Sequence, residues 1–264
     1  MKKILFVNQD TIPYVDETEQ ARLGMQIPNK LQDNDCEIRT FMPLWGNINE
    51  RRGQLHEVIR LSGLNIPICD YDHQLIIKVA SIPQTKLQVY FIDNDDFFAR
   101  KAQTVDAECK PFSDNDERAA FFARGVIETI KKLHWIPDYI ICNGWMSAML
   151  PILVREAYKS EPAIAEAKII TCIYNETPEA VFNKVKKEAL YFNSINADLL
   201  HDYSDIMNET DIVKIAIDYS DGIIAALPDS YEPALSYARE QGKRVMDYIA
   251  DDSAASYNAF IESL

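Results

Sequence analysis

The sequence predicts an α/β fold, a mostly parallel sheet flanked by helices. Three observations carry the prediction. The chain opens on a short run that is apolar at every position. Its second half alternates strand-like and helix-like segments. The turns between them are short and polar.

The opening run is residues 3–7, ending at Asn8-Gln9-Asp10. That pattern suits a strand buried on both faces whose carboxyl end opens into a polar loop. From Thr18, Ala21, Gly24, Ile27 and Leu31 recur at helical spacing, with Pro28 expected to kink or end the helix. A strand at Cys36–Met42 closes on Pro43. Between Leu55 and Ile92, the runs Val58–Leu61, Leu75–Val79 and Gln88–Ile92 predict a β-hairpin insertion, about residues 55–85, and a return to the sheet. Asp114–Leu133 is the clearest helix: Asp114 stands ready to cap it, and Ala119, Phe122, Ala123, Val126, Ile127 and Ile130 share one face. Strand Tyr139–Cys142, helix Ser147–Lys159 and strand Lys168–Ile173 continue the rhythm. Asn193–Asp211 is polar and read as short helices; apolar Ile212–Ile217, strand Gly222–Ala226 and helix Asp229–Gln241 follow. Tyr248, Tyr257 and Phe260 imply that the last segment packs back onto the body. The whole is Rossmann-like, with right-handed crossovers, and 264 residues fit one domain over 1–264.

Composition narrows the function. Twenty-seven basic against 41 acidic residues give a net charge of −14, which would repel a phosphate backbone, so no nucleic-acid partner is expected. No run approaches the ~20 apolar residues of a membrane span, and Met1-Lys2-Lys3 leads straight into the first strand; a cytoplasmic chain with no membrane partner is expected. Five dispersed cysteines with no C-x-x-C pair read as buried free thiols, and with four scattered histidines no metal site is expected.

Ligands of such sheets sit beyond the carboxyl ends of the strands. Asn8–Glu19, Pro43–Asn47, Asp93–Asp96, Asn143–Ser147 and Tyr174–Thr177 should converge there. Residues 8–23 contain no glycine, so no glycine-rich phosphate cradle is present. Asp70-Tyr71-Asp72 has a cation-binding spacing but reads as an insertion turn. Asp93, Asp95 and Asp96 read as an acidic cap on Phe97–Lys101, His134 as a structural helix end, and His56, His73 and His201 as residues without a recognisable partner. The segment that stands out is Asn143-Gly144-Trp145-Met146-Ser147, where Gly144 permits a sharp turn and Trp145 offers a flat face suited to a sugar ring or to the core.

Four segments, in order, resemble the N-terminal half of bacterial glycogen synthases and plant starch synthases, glycosyltransferases of the two-domain GT-B architecture. They are Ile27–Leu31 through Pro43, Val89–Arg100, Asp114–Phe122, and Pro137–Ser147. The third is similar to the family's Asp-Asn-x-x-Arg-Phe helix start, and the fourth to its Pro-Asp-(apolar)-His-x-His-Asp-Trp stretch. The resemblance implies ADP-glucose as donor, a glucan as acceptor, and a second domain that grips the donor. Residues 1–264 would then be one glycogen synthase N-terminal-like domain.

Departures from the family pattern alter that implication. Where the family places Lys-x-Gly-Gly-Leu against the nucleotide sugar, this chain has Asp16, Glu17, Thr18, Glu19 and Gln20; the family's second His and its Asp correspond to Asn143 and Gly144, and the next polar residue to Met146. An acidic stretch faces a diphosphate with like charge. Three readings remain open: a catalytically impaired glucan holder or partner subunit in glycogen metabolism, an active glucosyltransferase half completed by a separate donor-binding chain or synthase partner, and a binding domain for another small ligand. No catalytic residue is assigned. Asn143, Trp145, Asn115, Arg118, Glu19, Asn8 and Asn175 are the candidate ligand-binding residues, with Glu176 beside them. No cofactor is expected, a nucleotide sugar such as ADP-glucose entering only if the chain is active.

Overall fold

The computed structural model describes residues 1–32, 34, 36–250 and 254–264. Ile4, Leu5, Phe6 and Val7 are almost fully buried, as a strand packed on both faces requires, and β1 (Lys2–Asn8) runs through the middle of the sheet. Helix α1 (Glu19–Gln32) follows, then β2 (Cys36–Pro43). Pro28 neither ends nor removes α1. A proline nitrogen leaves the carbonyl four residues earlier without its helical donor. Here that carbonyl belongs to Gly24, and it accepts a 2.8 Å hydrogen bond from Asn8 Nδ2 at the end of β1. Gly24 also has to be glycine, because a Cβ there would stand 2.5 Å from the Asp10 carbonyl oxygen.

The insertion comprises β3 (His56–Glu57), β4 (Leu64–Ile68) and β5 (Tyr71–Ser81); β6 (Gln88–Asp93) returns to the sheet. Val58–Leu61 is a turn, not a strand, and the hairpin's first arm is β4. Asp70 lies in the tight turn between β4 and β5, whereas Tyr71 and Asp72, read with it as a turn, begin β5. The short helix α2 (Asp95–Phe98) is capped by the Asn94 side chain rather than by an aspartate, and Asp93 instead pairs with Lys78 at 3.1 Å.

Helix α3 (Asn115–Leu133) buries its apolar face. Asp114 occupies the cap position but makes no capping bond; its carboxylate is held by Arg100. His134 closes the helix in a left-handed conformation, φ 50°. After β7 (Tyr139–Asn143) the expected long helix is broken into a 3₁₀ turn at Trp145–Ser147, α4 (Leu150–Ile152) and a π-helical turn at Leu153–Ala157. Then come β8 (Lys168–Ile173), α5 (Pro178–Val181), β9 (Val185–Lys186), β10 (Ile206–Met207), α6 (Glu209–Asp218), β11 (Gly222–Ala225), α7 (Glu232–Glu240), β12 (Arg244–Met246) and α8 (Ala254–Glu262). Of the short helices expected over Asn193–Asp211, only the start of α6 is present; residues 193–208 contain none.

The strand order is β12-β11-β8-β7-β1-β2-β6-β5-β3, with β4 hydrogen-bonded to β5. From β12 to β6 every neighbouring pair is parallel, and β5, β3 and β4 join antiparallel. The result is the Rossmann-like α/β sheet with a hairpin insertion that the pattern predicts. Register puts Asn8 opposite Asn143, and Asn143 opposite Cys172, so the ends of β1, β7 and β8 are level. Helix α8 packs on α1, with Tyr257 and Ile261 buried, whereas Tyr248 stays 41% exposed and does not join the core. Among the described residues no disulfide joins the cysteines; Cys36, Cys142 and Cys172 are buried, but Cys69 and Cys109 are exposed. Among the described residues no helix is long and apolar enough to cross a membrane.

Candidate functional site

The level ends of β1, β7 and β8 present one polar cluster. Asn143 Nδ2 donates to Asn8 Oδ1 at 2.7 Å, and the Tyr174 hydroxyl donates to Asn143 Oδ1 at 3.0 Å. Asn8 Nδ2 donates to Thr11 Oγ1 as well as to Gly24. Asn8 and Asn143 are both buried, so their amides tie three strand ends and α1 together instead of facing a ligand.

One step further out, Gln9 bridges the loops. Its Nε2 donates to Glu176 Oε2 at 3.1 Å, and its Oε1 accepts the backbone N–H of Met146. Trp145 is buried, its indole donating to the Glu176 carbonyl at 2.8 Å, and it lines a cavity of about 10 Å³ with Gln20, Gly144, Thr171, Tyr174 and Glu176. Gln20 Nε2 has no hydrogen-bond partner there among the described residues. Gly144 sits at φ 82°, and an added Cβ would lie 2.4 Å from Gln20 Nε2 and 2.7 Å from Gln9 Cβ. The sharp turn read from the sequence is therefore a requirement for glycine.

Asp10 is the group that sequence reasoning missed. Its Oδ1 accepts Gln103 Nε2 at 2.7 Å and Trp45 Nε1 at 3.2 Å. Burial, then the nearby charge of Glu176, push its carboxyl up to about 7, against the pull of hydrogen bonds from Trp45 and Gln9. Burial raises Glu176 as well, with its Gln9 hydrogen bond opposing. Two carboxyls at one sheet edge are thus pushed toward their neutral forms, and Asp10 can hold a proton near neutrality.

Asn115 and Arg118 do not reach this edge as exposed groups. Asn115 Nδ2 donates to the Thr104 and Val181 carbonyls at 2.7 and 2.6 Å, a buried clamp at the start of α3. Arg118 is fully buried; Nη1 donates to the Gln103 carbonyl and to Asn115 Oδ1, and its guanidinium lies 5.1 Å from the Trp45 ring. Burial and neighbouring Arg100 bring it down to about 10, with Asp114 opposing. Through Gln103 and Trp45, which both also contact Asp10, Arg118 braces the acidic residue from behind. His73, read as partnerless, contacts Asp96 at 3.1 Å and packs on Phe97.

Glu19 and Asn175 lie elsewhere along the same edge. Both line a cavity of about 620 Å³ at the ends of β8, β11 and β12. Ahead of α1, Asp16 and Glu17 are exposed; Glu19, also exposed, opens the helix itself and is paired with Arg22 at 2.6 Å. Gln20, the second residue of α1, is buried against Gly144. Among the described residues no three His, Cys, Asp or Glu side chains are grouped to hold a metal ion.

Comparison with known proteins puts this geometry in context. A family model described as the starch synthase catalytic domain matches residues 3–237. A glycogen synthase of Chlorobium limicola is 31% identical over 242 residues, 87% of this chain and 48% of its own length. One from Chlorobium chlorochromatii is 35% identical over 178 residues, 66% of this chain and 36% of its own. The chain thus spans about half the length, or less, of these curated relatives. In fold, the catalytic domain of starch synthase IV from Arabidopsis thaliana, solved bound to ADP and acarbose, superposes with a TM-score of 0.75 at 16% identity, covering 94% of this chain and 51% of that one. Family match, relatives and fold agree, and the chain belongs to the starch synthase catalytic domain family of glycogen and starch synthase-like glycosyltransferases.

Proposed function

We propose that this chain holds a glucan within glycogen metabolism and does not, by itself, transfer glucose from a nucleotide sugar. The observation that carries the reading is the segment Asp16–Gln20. The family's pattern sets a lysine and two glycines where this segment stands, a cation for the diphosphate and a backbone that comes close to it. Here the segment holds three carboxylates, the first basic residue after it is Arg22, and Arg22 is engaged by Glu19 and by Gln26 at 2.6 Å. A donor diphosphate would meet like charge. Asn143 and Gly144, in place of a histidine and an aspartate, neither carry charge nor transfer a proton, and the Asn143 amide is fully engaged in the strand-end network. Glucan, a neutral polyol, is compatible with such a surface, and this reading sets the chain in the cytoplasm beside a true synthase.

One observation favours a second reading, an active glucosyltransferase half completed by a separate donor-binding chain: the relatives are about twice as long as the part this chain matches. Catalysis between two domains needs both to position donor and acceptor. Calorimetric titration with ADP-glucose, ADP and maltoheptaose in parallel separates the readings. Heat with maltoheptaose and none with either nucleotide is the expected result. Saturable nucleotide binding would overturn the first reading and favour the second.

A further inference from the structure

The sheet carries complementary features toward its two ends. At one end stands β3, the last strand of the order, with a turn on either side of it. Arg51, Arg52 and Arg60 are exposed in these turns, and among the described residues no carboxylate pairs with any of them. The second turn also holds Ile59 out in solvent, 81% exposed. A single exposed isoleucine means nothing by itself. What gives it meaning is a receptor at the other end of the sheet.

Beyond β8, toward the β12 edge, α5, the β9–β10 pair and the start of α6 enclose a cavity of about 220 Å³. Its floor is apolar: Phe182, Met207 and Ile212 are each no more than 6% exposed, and Ile206 stands at the lip, 48% exposed. The rim carries Glu179 and Glu209, both exposed and neither paired with a cation among the described residues, against one lysine, Lys184. An acidic rim over an apolar floor fits an apolar side chain flanked by cations. The turn Ile59-Arg60 is a segment of that chemistry within this chain. Net charge narrows the choice further. At −14 two copies repel over most of their surface, and the arginine-bearing turns are where another copy's acidic rim is attracted instead.

We propose that a second copy of this chain docks here, its Ile59 entering the cavity between Phe182 and Ile206 while the arginines beside it meet Glu179 and Glu209. The two surfaces differ, and β8 lies six strand spacings from β3, about 30 Å. The contact is therefore heterologous, and repeated it builds an open chain or a ring. Self-association of this kind does not depend on whether the chain holds glucan.

Sedimentation velocity at about 0.15 M salt, where repulsion is screened beyond about 8 Å, tests the contact from about 10 μM to about 1 mM chain. Expected for the parent is a weight-average mass above the monomer that rises with concentration. Ile59→Asp and Ile206→Asp, both at exposed positions and checked for folding by circular dichroism, should each weaken association roughly tenfold or more. Mixed in equal amounts, the two variants should form pairs and stop there, because each keeps the surface that the other has lost. A parent that stays monomeric over the whole range would overturn the second copy as occupant and leave the cavity to a basic segment of another protein. Association that survives Ile59→Asp, or a mixture no heavier than either variant alone, would equally overturn it.

Discussion

Two stretches of one sheet edge differ in what their polar residues do. At the ends of β1, β7 and β8, Asn8, Gln9, Asn143 and Tyr174 are buried and Asp10 is half-buried, and all hydrogen-bond one another or neighbouring groups of the protein. At the ends of β8, β11 and β12, Glu19, Asn175 and Asp229 are exposed and surround an apolar floor. The first region is a brace; the second is open to a ligand. The difference comes from what packs over each. Trp45, Gln103 and the Trp145 turn cover the first, whereas Met246, Tyr248, Ile249, Ala250, Ser256 and Tyr257 wall only the side of the second. Polarity at a strand end thus does not mark a site until its hydrogen bonds are accounted for.

The largest expected effect tests the braced region through pH. The Asp10 carboxyl is held near 7 in the fold against 3.8 unfolded, so the folded state binds the extra proton between those values. A raised carboxyl contributes its full stability below about pH 4 and loses it as pH rises through 7. The loss by pH 8 is at most about 4 kcal/mol, from about 1.4 kcal/mol per pH unit. Asp10→Asn keeps an acceptor for Gln103 and Trp45 without a charge to bury. The variant should be more stable than the parent at pH 8, and the gain should vanish below pH 4, as urea unfolding at both values would report. A gain of equal size at both values would mean that Asp10 is ionised in the fold, and the region would then be less closed than the comparison holds.

The next effect concerns how α1 is joined to the sheet. Asn8 makes three side-chain bonds, to Thr11, to Gly24 and from Asn143, and the Gly24 bond replaces the one that Pro28 cannot donate. Asn8→Ala leaves buried partners unsatisfied and should cost about 3 kcal/mol in chemical denaturation. The double variant Asn8→Ala, Pro28→Ala should recover about 1 kcal/mol, because a backbone N–H is restored for Gly24. Additive losses in the pair would refute the link between the proline and the asparagine.

The sequence exposes this fold well where periodicity is strong and poorly where one contact decides. Strand Lys168–Ile173 matches its expected bounds because six consecutive residues follow one pattern. Strand β4 was hidden by Pro67, which an edge strand bonded only to β5 can carry. The expected helix over 147–159 breaks where Pro151 and a π-turn interrupt it, and no apolar period reveals that. At the candidate site, Gly144 was legible because its turn is local. Asp10 was not, for its partners Trp45 and Gln103 are 35 and 93 residues away. Asn8 and Asn143 stand out for polarity at the strand ends, and Asn115 and Arg118 through the resemblance, yet the fold pairs all four inward. The pocket wall made by Met246, Tyr248, Ile249, Ala250, Ser256 and Tyr257 lies outside every motif that carried the resemblance.

The smallest effect belongs to the open region, and its smallness is the point. Glu19→Gln removes the charge that pairs with Arg22 three residues on, an exposed helical ion pair of the kind that contributes at most about 0.5 kcal/mol. Urea unfolding of this variant at pH 7 should stay within that margin of the parent. The same measurement applied to Asn8→Ala should move several-fold further, although both residues lie along one sheet edge within twelve positions of sequence. A Glu19→Gln loss above about 1.5 kcal/mol would place the rim among the residues that hold the fold together. In that event the carboxylate could not be free to serve a ligand, and the contrast between a braced and an open stretch would fail. If the loss stays small, Glu19 can be changed without disturbing the scaffold, and any shift in maltoheptaose affinity that the substitution produces reports on the cavity itself.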